Sequence, residues 1–220
     1  MRKYILFLSL FFVVNATAQE QKQSYRHEAQ LTAGMNSYCA LEIEPSYSFM
    51  FHKYIGIVGG VRAVAEVVDD LRYPIVSPKP YDWRISRRRT VSTVLLRPAL
   101  RLRFPILAED IFFAVEPGLL LNLIPNEEIE FAYKNMVTIE PPLRYKSVRN
   151  KDGEVCSYEV KGYFSLHFDR WSVIAGYGLS NYDTYSGRRN IVIEGDPLND
   201  HLPRHHTLSH RGFIGVGYLF

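Results

Sequence analysis

The charged residues that say most about this chain recur at a spacing of two. Glu42 and Glu44 are two apart, as are Arg101 and Arg103, and Glu159 and Lys161. Arg62, Glu66, Arg97 and Glu116 sit in the same setting, flanked by apolar neighbours. Residues at every second position share one face of an extended strand. Acids and bases spread evenly over several such segments suit pairing with one another more than catalysis by any one of them. Carboxylates and guanidinium groups that leave water need partners of this kind.

Other residue types suggest other chemistry. Arg84, Arg87, Arg88 and Arg89 follow Trp83, and Arg188, Arg189 and Arg204 lie further on. Guanidinium groups bind phosphate through paired hydrogen bonds. His201, His205, His206 and His210 could hold zinc or copper, but they fall in an irregular stretch, and no metal is expected. Ser165 with His167, and Ser209 with His210, have the residue types of acyl transfer. Neither pair has an acid placed to orient the base, Asp200 being the nearest to the second. A triad needs that third group, so no catalytic set is assigned and no cofactor is implied. Cys39 and Cys156 are an even count that permits a disulfide in an exported chain; two free thiols are the alternative.

The elements that position these residues are strands. In 39–51, Leu41, Ile43, Pro45, Tyr47, Phe49 and Phe51 alternate with Glu42, Glu44, Ser46 and Ser48. The same period of two runs through 28–36, 54–67, 91–104, 111–123, 158–168, 171–181 and 210–220, eight segments in all. Each is about ten residues, the length of a tilted membrane-crossing strand. Connections after the second, fourth and sixth are short (His52-Lys53, Pro105 to Asp110, Asp169-Arg170). Those after the third, fifth and seventh are long, and the stretch 124–157 could hold a hairpin of its own. Pro45, Pro98 and Pro117 share the apolar parity and lack the ladder donor. A bulge or strand end is expected beside each.

The two ends of the chain fix the setting. Arg2 and Lys3, the apolar run Tyr4 to Val14 and the small residues Ala16-Thr17-Ala18 make a signal peptide over 1–18. Residues 19–27 read as a polar leader and 28–220 as one domain. No later apolar run reaches helical spanning length. A net charge of +3 in 220 residues argues against a nucleic-acid partner. The last residues alternate as Ile214, Val216, Tyr218 and Phe220, and the strand stops on an aromatic.

This pattern, and the terminal strand above all, resembles the small eight-stranded outer-membrane β-barrels of Gram-negative bacteria, the OmpA-barrel and OmpX-like class. The resemblance covers 28–220 as pattern, not as residue identity. It implies an all-β, antiparallel up-and-down transmembrane barrel in the cell outer membrane, with both termini and the short turns in the periplasm. Tyr218 and Phe220 would then serve as the signal read by the barrel-assembly machinery. A monomer is expected, in contact with lipid and lipopolysaccharide. Arg84, Arg87, Arg88 and Arg89 would meet lipopolysaccharide phosphates. Eight strands enclose only enough room for side chains, so the paired charges should fill the lumen and leave no pore. The expected role is structural, or recognition through the outer loops. The alternatives are a lipid-modifying barrel enzyme and a soluble periplasmic barrel around an apolar ligand, which would place its charges outside.

Overall fold

A computed structural model of the chain describes residues 26–67, 81–85, 93–107, 110–135 and 141–220. The proposed signal peptide lies outside the described residues, as does all of the proposed leader except Arg26 and His27. The elements are β1 (His27–Asn36), β2 (Ala40–His52), β3 (Ile55–Glu66), β4 (Tyr81–Ile85), β5 (Thr93–Leu107), β6 (Ile111–Asn122), β7 (Glu128–Asn135), β8 (Arg144–Arg149), β9 (Cys156–Phe168), β10 (Trp171–Ser180), β11 (Val192–Ile193), β12 (Asp196–Pro197), a 3-10 turn (Leu198–His201) and β13 (Ser209–Leu219). Among the described residues no helix is long and apolar enough to cross a membrane, which bears only on helical spans.

Eight strands close a barrel in the order β1-β13-β10-β9-β6-β5-β3-β2. Every neighbouring pair is antiparallel, so the barrel strands run up and down in chain order. The last strand completes the wall: β13 pairs β10 on one side and β1 on the other, with Tyr218 opposite both Trp171 and Ala29. Closure satisfies both edges of the terminal strand, which solves the problem an apolar edge would otherwise pose.

The barrel is inside out relative to a soluble one. Along its strands the outward parity is apolar: Leu31 and Met35 on β1, Ile43 and Tyr47 on β2, Ile57 and Val61 on β3, Leu96 and Leu100 on β5, Phe164 and Phe168 on β9, Ile214 and Val216 on β13 are all exposed. No Asp, Glu, Lys or Arg stands on that parity in the eight barrel strands. The charges face inward and are buried, apart from Glu66, which is partly buried at the end of β3. Aromatic pairs ring the terminal end, with Trp171 on Tyr218 and Tyr218 on Phe220, each 5.1 Å between centroids.

The three prolines do not break register. Pro45 stays opposite Leu31, Pro98 opposite Gly59 and Pro117 opposite Val160, and pairing merely lapses on each proline's other side. An antiparallel residue bonds one neighbour at a time, so one missing donor costs one rung. The register shifts fall instead at Met50/His52 and Pro105/Leu107, where β2 and β5 reach the short turns.

The described parts of the long connections carry strands of their own. Those following β3 and β6 supply a three-stranded sheet in the order β4-β7-β8. The sequence pattern allowed for a hairpin within 124–157 but marked no strand in the long connection that holds β4. A buried cluster of Trp83, Ile129, Phe131, Tyr38, Tyr185, Ile191, Ile193, Leu198 and Leu202 gives these connections a core of their own. We call this assembly the cap.

Backbone contact sets the tolerance of the wall. A Cβ on Gly176 would overlap Tyr163 and lie 2.6 Å from the Gly162 carbonyl oxygen, whereas one on Gly59 meets nothing within 4 Å. Gly176→Val should therefore lose about 1–3 kcal/mol of stability, and Gly59→Ala should stay within about 0.5 kcal/mol of the parent. Urea unfolding in detergent, followed by tryptophan fluorescence, reads both; equal midpoints would contradict this packing.

Candidate functional site: a closed charge network under a folded cap

All eight barrel strands feed one network. Arg62 of β3 occupies its middle, donating from Nε to Glu44 Oε2 and from Nη2 to Glu159 Oε2, each at 2.7 Å, with Glu42 3.2 Å from Nη1. Glu159 also accepts from Arg97 Nε at 2.7 Å, and Arg97 reaches Glu116 at 2.9 Å. Glu116 accepts from Arg101 Nε at 2.7 Å and from the Tyr163 hydroxyl at 2.8 Å. Arg101 Nη1 then donates to Glu28 Oε2 at 2.6 Å and to Ser48, and its Nη2 to Gln30. Glu28 takes further bonds from Arg103 and from Ser172 of β10. Lys161 Nζ lies 2.5 Å from Glu44, and Arg211 of β13 lies 2.8 Å from Glu42.

The strand spacing explains this convergence. Positions two apart on β2, β5 and β9 stack along the lumen axis, and antiparallel neighbours bring opposite signs level, as Glu116 with Lys161 on β6 and β9. Shared carboxylates let one acid serve several cations, and the burial is near complete: Arg97 and Arg101 have no exposed surface.

Nine of the ten lumen residues named from sequence meet in this network. Glu66 does not. It ends β3 at the cap and pairs with Arg188 at 2.8 Å. Glu28 and Arg211 were not picked out, although both stand on the inward parity of their strands. The lumen is also not purely polar. Ala40, Val64, Leu95 and Leu120 form an apolar layer beneath the cap with Tyr182. Ala114, Tyr163, Ile174 and Phe213 form a second cluster on the opposite wall. Lys161 and Arg211 lie 5.3 and 5.0 Å from the Phe213 ring, within cation–π range.

The cap closes the mouth with the segment 182–188, which is buried throughout. Asn36 of β1 donates to Thr184 Oγ1 at 3.0 Å, and Asn150 donates to the Ser186 carbonyl. Arg188 binds Glu127 at 2.7 Å as well as Glu66. Burial disfavours the Arg188 charge, but Glu127 and Glu66 outweigh it and hold the guanidinium above its ordinary value. Arg189 pairs with Asp183 and donates to the Pro203 carbonyl. Arg188 and Arg189, grouped from sequence with the loop arginines that could bind phosphate, instead pair with acids and anchor the cap.

The remaining candidates separate. Arg84 lies on β4 with its backbone opposite Ala132; Arg87, Arg88 and Arg89 lie outside the described residues. Cys39 and Cys156 are free and exposed. They stand at the ends of β2 and β9, four strands apart by either route around the barrel. That width exceeds the roughly 7 Å Cα limit for a disulfide, so of the two alternatives the free thiols hold. Ser165 and His167 share a 2.9 Å hydrogen bond at the terminal end, where His167 stacks on Phe112. Ser209 is buried against Ser37 while the adjacent His210 faces out and bonds Tyr177. Alternation along β13 thus drives that pair apart. His201 contacts Asp196, and the His206 amide bonds the Tyr38 hydroxyl. Among the described residues no three His, Cys, Asp or Glu side chains converge on a metal site.

Strand order, inverted faces and filled lumen define an eight-stranded barrel built for an apolar surround. The solved structures it is similar to include outer-membrane barrels. The N-terminal β-barrel domain of Pseudomonas aeruginosa OprF is 10% identical and matches 90% of this chain and 100% of that one, with a TM-score of 0.45. Neisserial surface protein A is 9% identical over 91% and 100%, with a TM-score of 0.44. A de novo designed transmembrane β-barrel is 8% identical over 92% and 100%, with a TM-score of 0.48. No family model matches the chain, and no curated protein matches it in sequence. The fold assignment rests on the strand pairing itself.

Neutralising one shared acid should unbalance several cations at once. Glu159→Gln should cost about 3–5 kcal/mol, the range for breaking a buried pair. Glu66→Gln should instead loosen the cap, with faster amide exchange across 182–188 and a smaller change in the global urea midpoint. An unchanged midpoint for Glu159→Gln would mean that the network does not hold the wall.

Proposed function

We propose that this chain is an outer-membrane barrel of the small closed kind, monomeric and without catalytic activity, whose folded cap is a recognition surface at the cell exterior. The observation that carries the reading is the sorting of side chains. An outward wall free of Asp, Glu, Lys and Arg and rich in exposed Leu, Ile, Val, Phe, Tyr and Trp is far larger than the apolar patches soluble proteins leave exposed. Closure meets the bilayer's demand that every backbone polar group be paired. With the termini and short turns in the periplasm, the cap stands outside. Tyr218 and Phe220 at the closing strand would present the assembly signal to the barrel-assembly machinery. Arg84, Arg87, Arg88 and Arg89 remain candidates for lipopolysaccharide phosphates, since the connection that contains them leaves the barrel on the cap side.

A solid lumen also limits the role. Charges of both signs locked to one another offer no aqueous path, so transport of solutes through the barrel is not part of the proposal. What remains for function is the exterior.

Fractionation with heat-modifiable gel mobility tests the placement. The protein should partition with outer membranes and migrate faster unheated than boiled. Purified into planar bilayers it should give no sustained conductance steps. Recovery in the periplasmic soluble fraction would sink the reading. Alanine at Arg87, Arg88 and Arg89 together should lower thermal stability in lipopolysaccharide bilayers but not in phospholipid alone.

A further inference from the structure

The side chains of strand β8 are exposed along nearly its whole length; only Val148 is partly covered. It is an outer strand of the β4-β7-β8 sheet. Its register with β7 is unbroken, from Glu128 opposite Arg149 to Tyr133 opposite Arg144. The Asn150 amide donates to the Glu127 carbonyl at 2.9 Å. That bond sets the alternation: the amides of 144, 146 and 148 face β7, and those of Tyr145, Ser147 and Arg149 face away from the sheet. Among the described residues no strand pairs with those outward groups, and a row of unpaired donors and acceptors on a regular edge is a template for another strand.

The edge is held stiffly. Beneath it Ile129 and Phe131 belong to the cap core, and Val148 packs against them. Arg144 lies 4.9 Å from the Trp83 ring and 5.0 Å from Tyr133, so the start of the strand is clamped on aromatic faces. Pro141 and Pro142 precede the strand, and none falls within it. A partner would therefore meet a preformed edge without first ordering it.

Charge selects the partner. From Arg144 to Lys151 the chain carries Arg144, Lys146, Arg149 and Lys151 and no acid. A second copy of β8 laid antiparallel would bring cations against cations, which is destabilising. Lys146 already holds Glu194 at 2.9 Å, so an acidic strand would meet its complementary charge chiefly at Arg149 and Lys151, with Arg144 at the other end.

Resting on the reading of the cap as the exterior recognition face, we propose that the free edge of β8 binds an extended acidic peptide segment of a partner protein by strand addition. Backbone bonds to Tyr145, Ser147 and Arg149 would supply the pairing. The cations would supply selectivity and exclude self-association.

The test uses the full chain folded in detergent micelles and a fluorescent synthetic peptide alternating glutamate with valine, read by anisotropy. The peptide should bind, and its lysine–valine counterpart should not. Ser147→Pro removes one outward amide and no bond to β7, and proline is tolerated on sheet edges. It should weaken binding at least about tenfold, roughly 1.4 kcal/mol, while the heat-modifiable shift is retained. A peptide N-methylated on the residues that face β8 should lose affinity in the same way, which keeps the test decisive if Ser147→Pro folds poorly. Arg149→Glu should also weaken binding. If the N-methylated peptide binds as well as the parent and only Arg149→Glu matters, recognition is by charge alone and strand addition is overturned. Absence of binding by a protein that still shows the heat-modifiable shift overturns the edge proposal and leaves the barrel reading standing.

Discussion

The fold depends on one constraint: five lumen carboxylates and six lumen cations must satisfy one another without bulk water. An unpaired charge in that space would cost several kcal/mol, so each must find its partner across strands far apart in sequence. Arg101 meets Glu28 and Arg62 meets Glu159 in just this way. Such contacts specify which strands are neighbours and how they are staggered. The apolar outer rows cannot do this, because one aliphatic side chain facing hydrocarbon is much like another.

The same constraint ties the cap to the barrel. Glu28, Glu42, Glu44, Glu116 and Glu159 face Arg62, Arg97, Arg101, Arg103, Lys161 and Arg211, an excess of one cation. At the mouth, Glu66 and Glu127 share Arg188, an excess of one carboxylate. Among the described residues these two groups together are neutral. The compensating carboxylate is Glu66 at the end of β3, which the cap holds through Arg188, and the apolar layer with Tyr182 separates the two charge groups. A cap fastened in this way is a fixed body with its own core, and a fixed body can present a defined surface.

Much of this was legible in the sequence, and for a physical reason. A strand's period of two separates lipid-facing from lumen-facing residues without reference to any partner, so Leu41, Ile43 and Tyr47 could be set apart from Glu42 and Glu44 by counting. Strand ends followed from where that alternation failed. Individual pairings were not legible, because a carboxylate on one strand could reach cations on several others. Glu66 shows the limit: its parity pointed inward, but its height put it with the cap. The cap itself was mostly hidden. Its core draws on Trp83, Phe131, Tyr185 and Ile193, residues scattered over three connections with no period common to all of them. Basicity alone did not show that Glu66 and Glu127, distant in sequence, tie down Arg188, or that the nearer Asp183 ties down Arg189.

The prolines show how much such a wall can absorb. Pro98 and Pro117 both turn their missing donor toward the β5–β6 seam, where pairing lapses around each. In a bilayer an unpaired carbonyl is expensive, yet the register on either side is unchanged. Behind that seam, Arg97 and Arg101 of β5 bond Glu116 of β6. The salt bridges therefore cross the wall where the ladder is thinnest, and side chains fasten two strands that the backbone joins incompletely. Interior charge in this barrel is a means of holding adjacent strands together, and that role requires it to stay closed.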